Sequence, residues 1–529
     1  MSILGVGKSN LEVELKFELN AADVRKLWRT PELQAMQATR PRTKTLRATY
    51  FDTSDEKLLR RGLSLRVRKE SRRYVQCLKA NAEDASATGF ARHEWEWPVP
   101  GPDLDASLLR RDGDIKALLK GVNLSKLVSL YSTDIKRQSR ELHTPGGAVI
   151  LCEIDQGRVL AGGAQTPLYE LELEQKSGEV GELLKIAHLI AVSVPARLSS
   201  RTKAHRGAVL AHGEHAWVKA RNPQLSKNAS AEDVLRLSVM EGLKHLIANE
   251  DCVLTRCHIE GVHQMRVALR RMRSVITTYK KLLPKGSYEE LSQALKEAGS
   301  ALGPARDWDV FLDEVLGAVE TGFENDPALA IMRIRAQQRL DQAYRDVDAM
   351  IHSQPYACLL TDALLWIANS SWSDKNQAAS SRALAASSRA LKEPATHIAK
   401  SILSKRHERL VRVGKGLKSL SIEQRHTLRI AIKKARYAAE FFAELYPAKS
   451  SRSYLRSLKA LQESLGHLND LATAERLMAD LAEGARGANV AMLHRAAGMV
   501  EGWYMHAQTL REGDLLTAWK RFGKTKTFW

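Results

Sequence analysis

Glu12, Glu14, Lys16 and Glu18 alternate with Val13, Leu15 and Phe17, so a strand through them carries only ionic groups on one face. The same alternation recurs at Arg66 and Arg68, at Arg92, Glu94 and Glu96, at Glu153 and Asp155, and at Glu170, Glu172 and Glu174. One such strand is an ordinary solvated sheet face. Five are harder to place in solvent, which favours a mixture with Ser, Thr, Gln and Lys rather than acids and arginines alone. Curled into a barrel with these faces inward, the strands set about eight acids beside about six bases. Packed acids without compensation take up protons, so the pattern calls for divalent cations. Carboxylate oxygens suit hard Mg²⁺ or Mn²⁺, which keep waters and bridge to phosphates. The bases are then left to take phosphate oxygens. Such a lumen suits a ligand with several negative charges and its own metal.

A second constellation is duplicated. His263, Arg266, Arg270 and Arg273 lead to Leu302, Gly303 and Asp307, and 163 positions later His426, Arg429, Lys433 and Arg436 lead to Leu465, Gly466 and Asp470. The equal spacings mark a long-range internal repeat. On a helix the basic residues fall along one stripe, built to meet phosphate or carboxylate. Each histidine is expected either to bond the downstream aspartate or to touch phosphate directly. Lys405, Arg409 and Arg412 form a further, less specific basic stripe.

The elements that position these groups follow from periodicity. From about 10 to 175 the apolar residues mostly alternate, in runs such as LEVELKFEL, TLRATYFDT, RHEWEWPV and PLYELELEQ broken by Gly, Pro, Asp and Ser; these are antiparallel strands. From about 231 the period becomes helical, with Pro284, Pro394 and Pro447 where helices end or begin. The polar stretch 216–233 holds the linker, and the Ala/Ser-rich 378–390 lies between the repeats as a loose helix or a connection. A chain of 529 residues exceeds one core, since domains run roughly 100 to 200 residues. Its net charge of +20 divides evenly: residues 231–529 hold 44 Lys and Arg against 34 Asp and Glu, so each part carries +10 and suits an anionic partner.

Five scattered cysteines make no disulfide framework and indicate a reducing cytoplasm. Cys252, Cys257 and His258 lack a second pair at zinc-finger spacing. GVGKS at 5–9 ends like a phosphate-binding loop, but the first glycine of that motif falls on Ser2 and no strand precedes it. No apolar run approaches the ~20 residues of a membrane span, so the expected protein is soluble and has no membrane partner.

EVELK at Glu12–Lys16 resembles the ExExK signature of the CYTH, or triphosphate tunnel metalloenzyme, superfamily. YFDT at 50–53, LRVR ending at Arg68, CLK ending at Lys79, RHEWE from Arg92, EIDQG from Glu153, ELELE from Glu170 and SRTKAHRG around Lys203 resemble its later blocks in order. Cys77 stands where relatives often have threonine. The resemblance implies an eight-stranded antiparallel tunnel with flanking helices over 8–212. Glu12, Glu14, Glu170 and Glu172, with Glu96 and Asp155, would hold Mg²⁺ or Mn²⁺. Lys16, Arg66, Arg68, Lys79, Arg92, Arg137 and Lys203 would bind the triphosphate, with Glu94, Glu96, Lys79 and Arg92 serving the chemical step. Glu18 and Glu174 extend the ionic faces and are expected at the tunnel mouth or the surface.

HQMRVALRRMRS with LGPARDWDV, and HTLRIAIKKARY with LGHLND, resemble the two signatures of the CHAD, or conserved-histidine α-helical, domain. That resemblance implies an all-α domain over 231–522, after a linker at 213–230, built as two pseudo-symmetric four-helix units (about 231–375 and 390–522). Its polyphosphate-binding surface would include His263, Arg266, Arg270, Arg273, His426, Arg429, Lys433 and Arg436. The expectation is therefore a multidomain α+β cytoplasmic protein that hydrolyses inorganic triphosphate and binds polyphosphate. Specific nucleic-acid binding is not expected. Thiamine triphosphate, ATP or RNA 5′-triphosphate as substrate, and a non-enzymatic polyphosphate binder, remain the alternatives. Trp95 and Trp97 alternate away from the ionic face of their strand, which leaves no aromatic clamp for a base.

Overall fold

In the computed structural model, residues 10–81, 90–213, 217–369, 382–483 and 486–529 are described. GVGKS and the first residues of 378–390 lie outside them. The chain forms two compact units, Met1–Ala216 with Ile351–Ser370, and Trp217–Met350 with Ser371–Trp529.

The first unit is an antiparallel barrel. Its strands are β1 (Asn10–Glu18), β2 (Arg42–Asp52), β3 (Leu63–Glu70), β4 (Arg73–Asn81), β5 (Ala91–Val99), β6 (Val128–His143), β7 (Val149–Ala161) and β8 (Ala164–Ser177), with a short β9 (Arg197–Ser199). They run in the order β5-β4-β3-β2-β6-β7-β8-β1-β9, and a β5–β1 pairing closes eight of them into a ring. At the closure Glu12 stands opposite Arg92, and on the other edge of β1 Lys16 stands opposite Glu172.

Because side chains alternate across each strand, the ionic faces fill the lumen and the apolar faces point out. The hydrophobic core therefore lies outside the wall. Leu65, Val67, Leu78, Trp95 and Trp97 are buried there against Leu108, Leu109 and Ile115, so both tryptophans do face away from the lumen. The helix Val180–Ser193 buries Leu183, Leu184, Ile186 and Ile190. Against it packs Gln354–Ala368, a helix from within the first sequence repeat, where His188 Nδ1 lies 3.2 Å from Thr361 Oγ1 and 3.1 Å from Asp362 Oδ1. The helix Lys203–His212, capped by Thr202, packs on β6, β7 and β8. With Thr202–Ala204 lining the lumen and β9 pairing to the last residues of β1, this segment closes one end of the barrel.

The second unit is helical, and its elements repeat with the sequence. Glu260–Tyr279 carries His263, Glu289–Ala301 follows, and Gly303 opens the next helix; Ile422–Phe442 carries His426, Ala448–Ser464 follows, and Gly466 opens the next. Leu302 and Leu465 are buried at the two junctions. Ser230 with Asp233 and Ser421 with Gln424 form capping boxes that fix two helix starts. Val218, before the first of them, is tied down by Asn249, which accepts from its N–H and donates to its carbonyl. Arg271 joins the two histidine-bearing helices through Glu440. Among the described residues no helix is long and apolar enough to cross a membrane.

Candidate functional site

The barrel encloses a cavity of about 300 Å³. Its lining includes Glu12, Glu14, Glu70, Glu94, Glu96, Glu153, Glu172 and Glu174, and against these eight acids eight cations: Lys16, Lys44, Arg66, Arg68, Lys79, Arg92, Arg137 and Lys203. Every base assigned to the triphosphate from sequence is there. Asp155 and Glu170 stand just behind the lining, each 0% exposed.

The charges divide into two groups. In the first, Lys203 Nζ lies 2.8 Å from Asp155 and 2.9 Å from Glu172 and also grips Glu170. Arg137 donates to both oxygens of Asp155 at 2.6 and 2.7 Å, to Glu172 at 2.6 Å, and to Glu153. Lys16 reaches Glu172 at 2.6 Å and Glu14 at 3.3 Å. In the second, Lys79 meets Glu12 at 2.9 Å and Glu94 at 3.3 Å, Arg92 approaches Glu14 at 3.6 Å, and the Cys77 thiol donates to Glu94 at 2.9 Å. Arg68 reaches Glu96 at 3.3 Å on the rim away from the closed end.

These contacts fix the protonation states. Burial pushes the Glu14 carboxyl up, but Lys16, Lys79 and Arg92 outweigh it and hold the group down at about 2. Glu172 is likewise held well below the usual range, against burial, by Lys16, Lys203 and Arg137. Glu12 goes the other way, to about 8, because burial and a hydrogen bond with Glu94 outweigh Lys79. Glu94 is lowered against its own burial by that bond, Lys79 and Arg66. Glu12 and Glu94 thus share one proton. Burial raises Glu170 despite Lys203 and Lys16, and raises the Cys77 thiol to about 12, which makes it a poor nucleophile.

The donor set fits a hard divalent ion. Asp155, Glu170 and Glu172 bring carboxylate oxygens within 4.8 Å of one another, and the buried Glu14 Oε1 and Glu170 Oε2 carry no hydrogen bond. Oxygen donors of this kind suit a hard divalent cation such as Mg²⁺ or Mn²⁺. Glu94 and Glu96 form a second cluster with Cys77.

In the helical unit a cavity of about 540 Å³ gathers Arg266, Arg270 and Arg273 with Lys296, Arg476, Asp307 and Asp480. Arg266 Nη1 donates to the Gly299 carbonyl at 3.2 Å, and a Cβ on Gly303 would lie 3.0 Å from that nitrogen. At Gly303 the glycine thus sits close under the Arg266 guanidinium at the helix start. Asp307 accepts from Arg476 at 2.9 Å, and burial raises its carboxyl despite Arg266 and Arg476. Burial, with Arg306, Arg270 and Arg266, lowers His263 to about 4, so it is neutral at pH 7 and adds no charge to the stripe. His263 is not part of the cavity lining, nor are His426, Arg429, Lys433 and Arg436. His426 is exposed, and Arg436 pairs with Glu440 at 3.2 Å. The Asp470 side chain lies outside the described residues.

The CYTH domain family matches residues 10–208 and the CHAD domain family residues 238–479. The chain is a CYTH–CHAD protein. The chain is 28% identical over 168 residues to the inorganic triphosphatase of Haemophilus influenzae, a match that covers 31% of this chain and 45% of that protein. The chain thus spans less than half the length of that relative. An uncharacterized protein of Mycobacterium tuberculosis is 26% identical over 394 residues, covering 67% of this chain and 69% of its own. The CHAD domain of the plant Ricinus communis superposes with a TM-score of 0.51 at 27% identity, covering 60% of this chain and 99% of that one.

Sequence reasoning missed several lining residues of the CYTH tunnel. Lys44 stands opposite Arg137 on the adjoining strand, and Ser139 donates to Glu153 at 2.6 Å. Two-residue spacing from Arg137 would have found Ser139. Tyr50 lines the tunnel and accepts from Arg66 at 3.4 Å. The neighbouring Asp52 is instead a brace, accepting from the N–H groups of Thr53, Leu58 and Leu59. Glu174 lines the tunnel, whereas Glu18 is largely buried in a cluster with Arg197, Arg206 and Ser199 that holds β9 to β1.

Proposed function

We propose that the CYTH domain hydrolyses inorganic triphosphate to pyrophosphate and orthophosphate with Mg²⁺ or Mn²⁺, and that the CHAD domain binds polyphosphate. The observation that carries the reading is the lumen itself: eight carboxylates matched by eight cations in about 300 Å³, with Trp95 and Trp97 buried in the outer wall. This supports a small ligand of high charge rather than one that needs a pocket for a base. The likeness to an inorganic triphosphatase supports it further.

Phosphoanhydride hydrolysis needs positioning and charge neutralisation more than covalent chemistry. A divalent ion held by Glu12, Glu14, Glu170 and Glu172 would supply charge neutralisation at the phosphate oxygens. Arg66, Arg68, Arg92, Lys16, Arg137 and Lys203 orient the chain of phosphates and meet the charge that grows on the leaving group. Glu94 or Glu96 orients the attacking water. Its oxygen forms a bond to the terminal phosphorus, the anhydride P–O bond breaks with its electron pair going to pyrophosphate, and the water's proton passes by way of that carboxylate to solvent. Lys79 sits between Glu12 and Glu94, placed to steady the transferred phosphoryl.

The test is phosphate release from tripolyphosphate, long polyphosphate, ATP and thiamine triphosphate with each metal. Tripolyphosphate should be turned over fastest, and Glu14→Gln or Glu172→Gln should abolish metal-dependent release while the chain stays folded. Turnover of ATP alone, or of nothing, overturns the substrate; unchanged turnover in both variants overturns the metal assignment.

A further inference from the structure

Behind Lys79 and Arg92 lies a second, smaller cavity of about 140 Å³. It shares Ser64, Lys79, Arg92 and Thr202 with the tunnel, so the two spaces adjoin. It sits at the closed end, where β3 begins, β4 finishes and the chain passes from β9 into the helix Lys203–His212. Its outer residues Asn81 and Ser200 are exposed. The space therefore leads from the ionic lumen towards solvent on the side away from Lys44, Glu70 and Glu96. Gly62 forms part of its wall at φ +71°, where a Cβ would come within 2.6 Å of Asn81 Nδ2.

Its chemistry differs from that of the tunnel. The tunnel matches each sign of charge with the other, whereas here Lys79, Arg92 and His205 stand with the hydroxyls of Ser64, Ser200 and Thr202 and the Asn81 amide. No carboxylate is among the described residues lining it. Donors without carboxylates attract an oxyanion and offer a metal nothing to bind. At about 140 Å³ against about 300 Å³ for the tunnel, the space suits a smaller anion than the triphosphate.

We infer that this cavity takes up the orthophosphate cleaved from the triphosphate and passes it to solvent at the closed end. The inference rests on the proposed triphosphatase reading and adds the route of one product. Pyrophosphate, carrying more charge, keeps the carboxylate and cation surroundings of the tunnel. Orthophosphate is small enough to slip behind Lys79 and Arg92, whose other contacts are Glu12, Glu94 and Glu14 on the tunnel side. The two products part at these two residues.

Two variants of the full chain test it. Asn81→Asp is isosteric and puts a like charge in the passage; Ser200→Trp obstructs its outer end. Asn81→Asp should raise the inhibition constant of orthophosphate about tenfold and that of pyrophosphate by less than about threefold. Ser200→Trp should add a burst of phosphate to a chemical-quench time course, because the product then outstays the chemistry. Equal shifts for both products, or orthophosphate inhibition and time course unaltered in both variants, overturn the passage. Should the wild-type chain leave tripolyphosphate intact, the triphosphatase reading fails by itself. Calorimetric binding of inorganic phosphate then still judges the cavity: weakening by Asn81→Asp upholds an anion site, and unaltered binding overturns it.

Discussion

Glu12 and Glu94 hold one proton between them, and a divalent ion that takes an oxygen from Glu12 must displace it. Glu12 lies at about 8, raised by burial and by its bond with Glu94. An acid raised in this way is protonated at neutral pH, so the ion competes with the proton and gains as pH rises. About nine-tenths of the sites carry the proton at pH 7 and about one-tenth at pH 9. Apparent affinity should therefore climb about fiftyfold between pH 6 and pH 8, about 2.3 kcal/mol, and level off above about pH 9. Calorimetric titration of Mg²⁺ or Mn²⁺ into the full chain, in two buffers of different ionisation enthalpy, counts the protons released. The wild type should release about 0.9 or more per ion at pH 7, and Glu12→Gln should lose that share. Glu170, also raised by burial, is a separate source that Glu170→Gln removes. An affinity flat from pH 6 to 8, or a release that Glu12→Gln leaves intact, would refute the reasoning.

In the CHAD domain, Arg270→Ala should flatten the salt dependence of polyphosphate binding by about 0.7 in log–log slope, the share of one phosphate contact on a single-stranded polyanion. Adding Lys433→Ala asks whether the second stripe takes part: a further drop of about 0.7 says that it does. Fluorescence anisotropy of labelled polyphosphate across a salt series reads both, and an unaltered slope in the double variant counts against the stripe. Arg266→Ala removes a further cation from the cavity and should flatten the same slope by about 0.7. A slope equal to wild type would mean that Arg266 is not part of the binding surface.

The lumen was legible because period-two alternation of ionic residues survives any register. Which acid meets which base was not, since Lys16 facing Glu172 and Glu12 facing Arg92 depend on how the ring closes. Asp52 shows the opposite limit: its neighbourhood marks a family, yet its carboxylate spends its bonds on a turn, which spacing alone does not reveal. The duplicated Leu-Gly was visible as a repeat, but that Gly303 faces Arg266 from another helix was not. The grouping of Gln354–Ala368 with the barrel unit was hidden as well. That helix is apolar on most sides, and such a pattern says that it is buried without saying against what.

The matched charges of the tunnel also explain why so ionic a lumen can fold. Each buried carboxylate has a cation to offset its desolvation, and removing one partner of such a pair costs about 3–5 kcal/mol. The same matching restricts what the lumen can accept. A triphosphate alone would pull Arg137, Lys203 and Lys79 from their carboxylates and leave Asp155, Glu172 and Glu94 uncompensated; a divalent ion alone would leave the cations so. Ion and triphosphate arriving together let every charge change partners at once, carboxylates to the ion and bases to the phosphates, with the balance kept. Under the proposed function, selectivity for a metal-bound polyanion would follow from the pairing itself and need no pocket shaped to any organic group.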